Sequence, residues 1–354
     1  MYINLILKDF FLENKKELIF YFISYLCNYS FEFIGIPIIF GTLITIIKNN
    51  NKMNFEFSLD FRNTFKKNII YNIILLICLC YFINIIFIDV INYLYNKLYS
   101  KILSFIRIKL TKNLIESRKI NFKELEVCKD LVSLDLTSQY ISTFIDNVLA
   151  EIIPLGIFTL IICGFLLYIG IEYFIIFFIS ISLIILYITY KKNDIIKNSK
   201  EKELVYLKMV SKNENSFTNL SNILINNTSK YEINKNNKLT LEFKKKLVKT
   251  YNIINNTVFY SRCIFVFFLF ILLLLIFKNY KENKIELSHL IIILFVLTNY
   301  IMFFRNKIYK IIVNYKYFGQ IEVNKKNFDI MIDNKNKNNK NYKINLGNIE
   351  FRNI

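Results

Sequence analysis

Residues 152–190 constrain this chain more than any other stretch. They read IIPLGIFTLIICGFLLYIG and then IEYFIIFFISISLIILYITY, with no Lys or Arg in either half. A bilayer core about 30 Å thick is crossed by roughly 20 apolar helical residues. The run therefore predicts two crossings, 152–169 and 173–190, joined by a tight turn at Gly170, Ile171 and Glu172. Such a turn makes an antiparallel hairpin. The polar stretches on either side, 96–151 and 191–257, must then lie on one side of the membrane.

Composition agrees. The chain is 54% hydrophobic and 17% aromatic, with 7 Gly, 2 Pro, no Trp and one His, which is the membrane class. The joint excess of Ile, Asn, Lys, Phe and Tyr is what an AT-rich coding sequence produces. The formal charge of +19 is thus not in itself a function. The basic residues are divided among loops rather than gathered on one face, which argues against a nucleic-acid partner. Five of the six cysteines (27, 78, 80, 163, 263) sit in apolar runs, the sixth is Cys128, and none forms a CxxC pair. They read as small buried hydrophobes rather than disulfides or a metal site. His289 stands alone. Triplets such as Asn226, Asn227, Thr228 match the N-glycosylation pattern but fall in loops expected on the cytosolic side.

Taken in order, residues 1–17 are too short and polar to span and suit an interfacial helix. No signal-peptide cleavage pattern follows them. Spans are expected at about 18–47, 69–90, 152–169, 173–190, 258–277 and 290–313. The first carries Glu32, Pro37 and Gly41, and the fifth carries Arg262. Beyond the second span, Leu98, Ile102, Phe105, Ile106 and Leu110 recur at helical spacing, an amphipathic extension outside the membrane. A returning helix is expected from about Glu124. Residues 191–257 contain no Gly or Pro and read as two helical legs, about 191–224 outward and 238–257 back. Residues 321–344 read as a charged linker, and 345–354 as a turn entering a strand.

The loops on the side of 1–17, 96–151, 191–257 and 305–354 hold 37 basic residues, against 8 on the opposite side. The positive-inside rule puts the first set, and both termini, in the cytosol.

This layout resembles the transmembrane domain of type I ABC exporters of the multidrug, peptide and lipid group. Residues 8–16 look like that family's elbow helix, and 36–44 are similar to its Pro-to-Gly pattern late in span 1. Residues 121–137 followed by 141–154 look like its first intracellular loop, and 214–251 are similar to its second. Glu286 to Leu290 opens span 6 as the family does, and 347–354 looks like the first strand of a nucleotide-binding domain. The sequence departs from the pattern at Cys128, Lys129 and Leu134 in the first loop, and at Asn219 or Asn222 in the second.

The resemblance implies an all-α membrane protein with six transmembrane helices and long helical cytoplasmic extensions, the domain covering 18–320. It implies a homo- or heterodimer with a second transmembrane domain in the lipid bilayer. It also implies a nucleotide-binding domain, in the same longer chain or a separate one, where ATP and Mg would bind. No G-x-x-x-x-G-K-[ST] occurs in these residues and the seven glycines are isolated, so the phosphate cradle of an ATPase is not in this stretch. The membrane part of an ATP-driven exporter is the leading expectation. A non-transporting scaffold or degenerate remnant is the alternative. A channel would need a polar stripe along its spans, and spans 3 and 4 have none.

Two sets of site residues follow. Glu32, paired with Arg262, is a candidate for a substrate cavity, because a charge at mid-span costs about 2.5–3.5 kcal/mol on insertion scales. By resemblance, the tips of the two cytoplasmic loops, about 117–125 and 227–237, couple to the ATPase domain. There Phe122, Lys123, Tyr231, Glu232 and Ile233 are the expected contacts.

Overall fold

A computed structural model describes residues 10–39, 69–118 and 127–337. Helix α1 (Lys15–Ser30) runs into a π-helical turn (Phe31–Gly35). Helix α2 is Ile69–Arg118 and α3 is Val127–Asn147. A second π turn (Val148–Ile152) leads into α4 (Ile153–Ile169). Helices α5 (Ile171–Thr218), α6 (Leu220–Ile225), α7 (Ser229–Lys281) and α8 (Leu287–Lys337) complete the order. Among the described residues, six helices are long and apolar enough to cross a membrane. They overlap each of the six stretches expected from hydropathy, the first of which, 18–47, runs past residue 39 outside the described residues.

The hairpin turn is tighter than the sequence suggests. Gly170 alone is non-helical, with extended backbone at φ 177° and ψ 137°. Its N–H donates to Leu166 O at 2.9 Å, and Asn279 Nδ2 donates to Tyr173 Oη at 2.6 Å, tying the hairpin to the end of α7.

Helices α5 and α7 are 48 and 53 residues long. At 1.5 Å per residue each reaches about 70–80 Å, far more than a bilayer core. No Gly or Pro interrupts 171–257. Their polar halves form an antiparallel pair joined by polar contacts: Lys246 to Glu201 at 2.6 Å, Thr250 Oγ1 to Asn198 O at 3.3 Å, and Lys212 to Glu232. Asn rather than Gly follows the ends of α6 and α7. Asn227 and Asn283 have φ 51° and 54°. In both turns the next N–H reaches back five residues, Thr228 to Ile223 O at 3.0 Å and Lys284 to Asn279 O at 2.9 Å. Asn tolerates the left-handed conformation such a helix stop requires.

The packing divides into two cores. One is aromatic and lies among the apolar spans. Phe33 stacks on Phe158 at 3.8 Å, and Tyr300 meets Phe158, Phe177 and Phe265 at 5.2–5.6 Å. The other core is aliphatic and lies under the amphipathic extension, where Leu98, Ile102, Ile106 and Leu110 are buried against Ile141, Ile145 and Ile321. This is the stripe read from the spacing. Helix α8 also continues through 321–337, most of what the sequence assigns to a linker, with Ile321, Val323 and Asn324 buried. An Asn/Lys-rich composition concealed a helix.

Both prolines stand in the same setting. Pro37 follows the π turn starting at Phe31, and Pro154 follows the one starting at Val148, each six residues after the turn begins. A proline ring clashes with the carbonyl four residues back and gives it no N–H. A π turn loosens the coil at that point. In the second turn the Leu149 and Ala150 carbonyls, five and four residues before Pro154, find donors on other helices. Tyr21 Oη donates to Leu149 O at 3.2 Å, and Lys307 Nζ to Ala150 O at 3.1 Å.

Candidate functional site

Three places in the fold concentrate polar chemistry. The first is Glu32, in the π turn of the first span and partly buried. Asn28 Nδ2 donates to its Oε2 at 3.4 Å, and the Asn84 amide of α2 lies beside it. Asn28 and Asn84 are 2% and 6% exposed, and Asn28 Oδ1 has no hydrogen-bond partner among the described residues. The expected pairing with Arg262 does not form. Arg262 Nη2 instead donates to Arg305 O on α8 at 2.7 Å. The Glu32 turn packs chiefly on α2 and the Arg262 helix chiefly on α5, a fact of tertiary arrangement that spacing does not carry.

The second place is where α3, α5 and α8 meet beyond the apolar spans. Glu203 is fully buried. It accepts hydrogen bonds from Tyr140 Oη at 3.0 Å, Gln320 Nε2 at 2.9 Å and Asn324 Nδ2 at 3.2 Å. Lys202 Nζ lies 3.2 Å from Oε2, itself 7% exposed. Burial pushes the Lys202 ammonium below its usual range, against the pull of Glu203. Burial, and then the adjoining carboxylate, push the Tyr140 phenol up. Gly319 makes this junction possible. A Cβ there would stand 2.5 Å from Ile196 O and 2.8 Å from Ser199 Cβ. Sequence reasoning missed this cluster, because a Glu in a Lys-rich stretch looks solvated.

The third place is the tip of the α5–α7 pair. Tyr231 and Ile233 are exposed there, at 65% and 58%. Glu232 faces inward, bound to Lys212 and to Ser216 Oγ at 3.3 Å. Phe122 and Lys123 lie outside the described residues. The tip itself is the short helix α6, with Phe217, Leu220, Leu224 and Ile225 exposed beside it or on it. These four were not singled out from the sequence. The signal available was a cluster of apolar residues in an otherwise polar loop.

No protein-family model and no curated protein sequence matches this chain. Among solved structures the chain is similar to a bacterial Atm1-family ABC exporter with ATP bound, at a TM-score of 0.71 and 11% identity. The likeness covers 90% of this chain and 54% of that one, so this chain spans about half that exporter's length. At this identity the likeness is one of fold. The chain has the all-helical fold of an ABC exporter's transmembrane part.

Proposed function

We propose that this chain is the membrane-spanning part of an ATP-driven exporter. On this reading two such units form the substrate pathway, and a nucleotide-binding domain that holds ATP and Mg drives them. Both termini and the α6 tip face the cytosol, as the distribution of basic residues favours. One observation carries the reading: exposed Phe217, Leu220, Leu224, Ile225 and Tyr231 crowd the far end of a polar hairpin. Apolar side chains held that far from the bilayer suit a protein partner, and a few buried apolar anchors carry most of a docking interface's energy. The fold shared with an ABC exporter agrees with an ATPase domain as that partner.

The test is made in the complex isolated with its ATPase domain. Ile225→Asp and Tyr231→Ala should leave the amount of inserted protein unchanged while cutting substrate-stimulated ATP hydrolysis and transport by about tenfold or more, the loss of one anchor worth roughly 1.4 kcal/mol or above. Phe122→Ala belongs in the same series. Variants that transport like the parent would refute the docking site.

A further inference from the structure

The two π turns are chemically alike, yet among the described residues only the second is met by a cation. At the second, Pro154 has no N–H to give the Leu149 or Ala150 carbonyl, and Glu151 adds a carboxylate. Lys307 answers both, with Nζ 3.1 Å from Ala150 O and 2.5 Å from Glu151 Oε2. At the first, Pro37 likewise cannot donate to the Glu32 or Phe33 carbonyl, and Glu32 adds the carboxylate. No Lys, Arg or His forms an ion pair with Glu32 among the described residues. Its neighbours are the amides of Asn28 and Asn84, and Asn28 Oδ1 is a further buried acceptor with no donor among the described residues. The site thus holds a carboxylate, an amide oxygen with no donor among the described residues, and a backbone carbonyl to which the proline gives no N–H, inside the apolar span.

An ammonium brings three N–H donors and one positive charge and no acceptor. It fits this set as Lys307 fits the other. We propose that the Glu32 turn binds the ammonium group of a primary alkylamine, whose tail lies along the exposed apolar faces of α1 and α2. Phe31 and Phe87, stacked at 6.3 Å, and exposed Leu26 and Ile83 supply such a surface. The binding claim stands on the geometry of the turn. Only the description of the ligand as a transported substrate rests on the exporter reading.

The test needs no ATPase domain, so its failure is separable from failure of that reading. The full chain is placed in nanodiscs of phosphatidylcholine and treated with dicyclohexylcarbodiimide, which reaches carboxyl groups from the apolar phase. Protection is read by mass spectrometry as unmodified Glu32, so that an alkylamide formed when an amine displaces dicyclohexylurea from the activated carboxyl counts as modification together with the N-acylurea. Dodecylamine, at about ten times its dissociation constant, should reduce Glu32 modification about tenfold by simple occupancy, while dodecanol should not. Asn28→Leu should weaken the protection with Glu32 still modified in the absence of amine, and Glu32→Gln should show no modification. Protection by phosphatidylethanolamine mixed into the disc would identify the amine as a lipid headgroup. Protection by dodecylamine only would identify a free amine. Equal modification with dodecylamine and dodecanol, or no modification of Glu32 under any condition, would overturn the proposal.

Discussion

Glu203→Gln tests whether the junction of α3, α5 and α8 depends on charge. The side chain keeps its shape. One carboxylate oxygen becomes an NH₂ group facing donors from Tyr140, Gln320 or Asn324, all within 3.3 Å of the present oxygens. Lys202, 7% exposed, loses its counter-charge. Breaking a buried pair from one side costs about 3–5 kcal/mol, because the remaining charge is stranded. That is roughly two to four powers of ten in the folded-to-unfolded ratio. The loss should depend on pH, with a definite sign. Burial holds the folded-state Lys202 below its ordinary 10.5, so in the variant the unfolded chain binds more protons. Stability of the variant should then rise with pH from neutral towards 10.5. Adding Lys202→Met to Glu203→Gln should recover part of the loss at pH 7. The assay is equilibrium unfolding in detergent followed by circular dichroism, at pH 7 and pH 10. A variant within about 0.5 kcal/mol of the parent, the range of ordinary surface substitutions, or a loss unchanged by pH, would refute the reasoning.

Two further outcomes are expected. Gly319→Ala should lower the melting temperature, since the new Cβ meets a backbone carbonyl at 2.5 Å and overpacking costs about 1–3 kcal/mol. Gly164→Ala, where a Cβ meets nothing within 4 Å, should not lower it. In a background without native cysteines, Phe55→Cys and Lys284→Cys should be labelled by an impermeant maleimide from outside intact cells, and Lys212→Cys should be protected. Labelling at 212 would overturn the assigned orientation.

Hydropathy and helical spacing made the spans, the hairpin and the α2 stripe legible, because each is a local pattern that a bilayer or an apolar core reads directly. What stayed hidden depends on contacts between distant helices. Glu203 differs from its exposed neighbours only because Tyr140, Gln320 and Asn324 arrive from 63 to 121 residues away. Arg262 and Glu32 share a plausible charge match in one dimension, yet no contact brings them together. The prolines were visible, but the π turns before them were not. An α-helix and a coil one residue looser have the same apolar pattern over so short a stretch.

The turn before Pro154 gives the third span an unusual mechanical character. A proline kink is normally compliant, since the bond that would stiffen it is missing. Here the stiffness is supplied from outside, by a phenol on α1 and an ammonium on α8. The stiffness of that joint therefore depends on its contacts with α1 and α8 as well as on span 3 itself. Withdrawing either one by about an ångström lengthens its 3.1–3.2 Å bond past the range where a hydrogen bond holds. The span then softens at that point while its neighbours stay rigid. Relative motion of α1 and α8 is thus converted into angular freedom at a single joint.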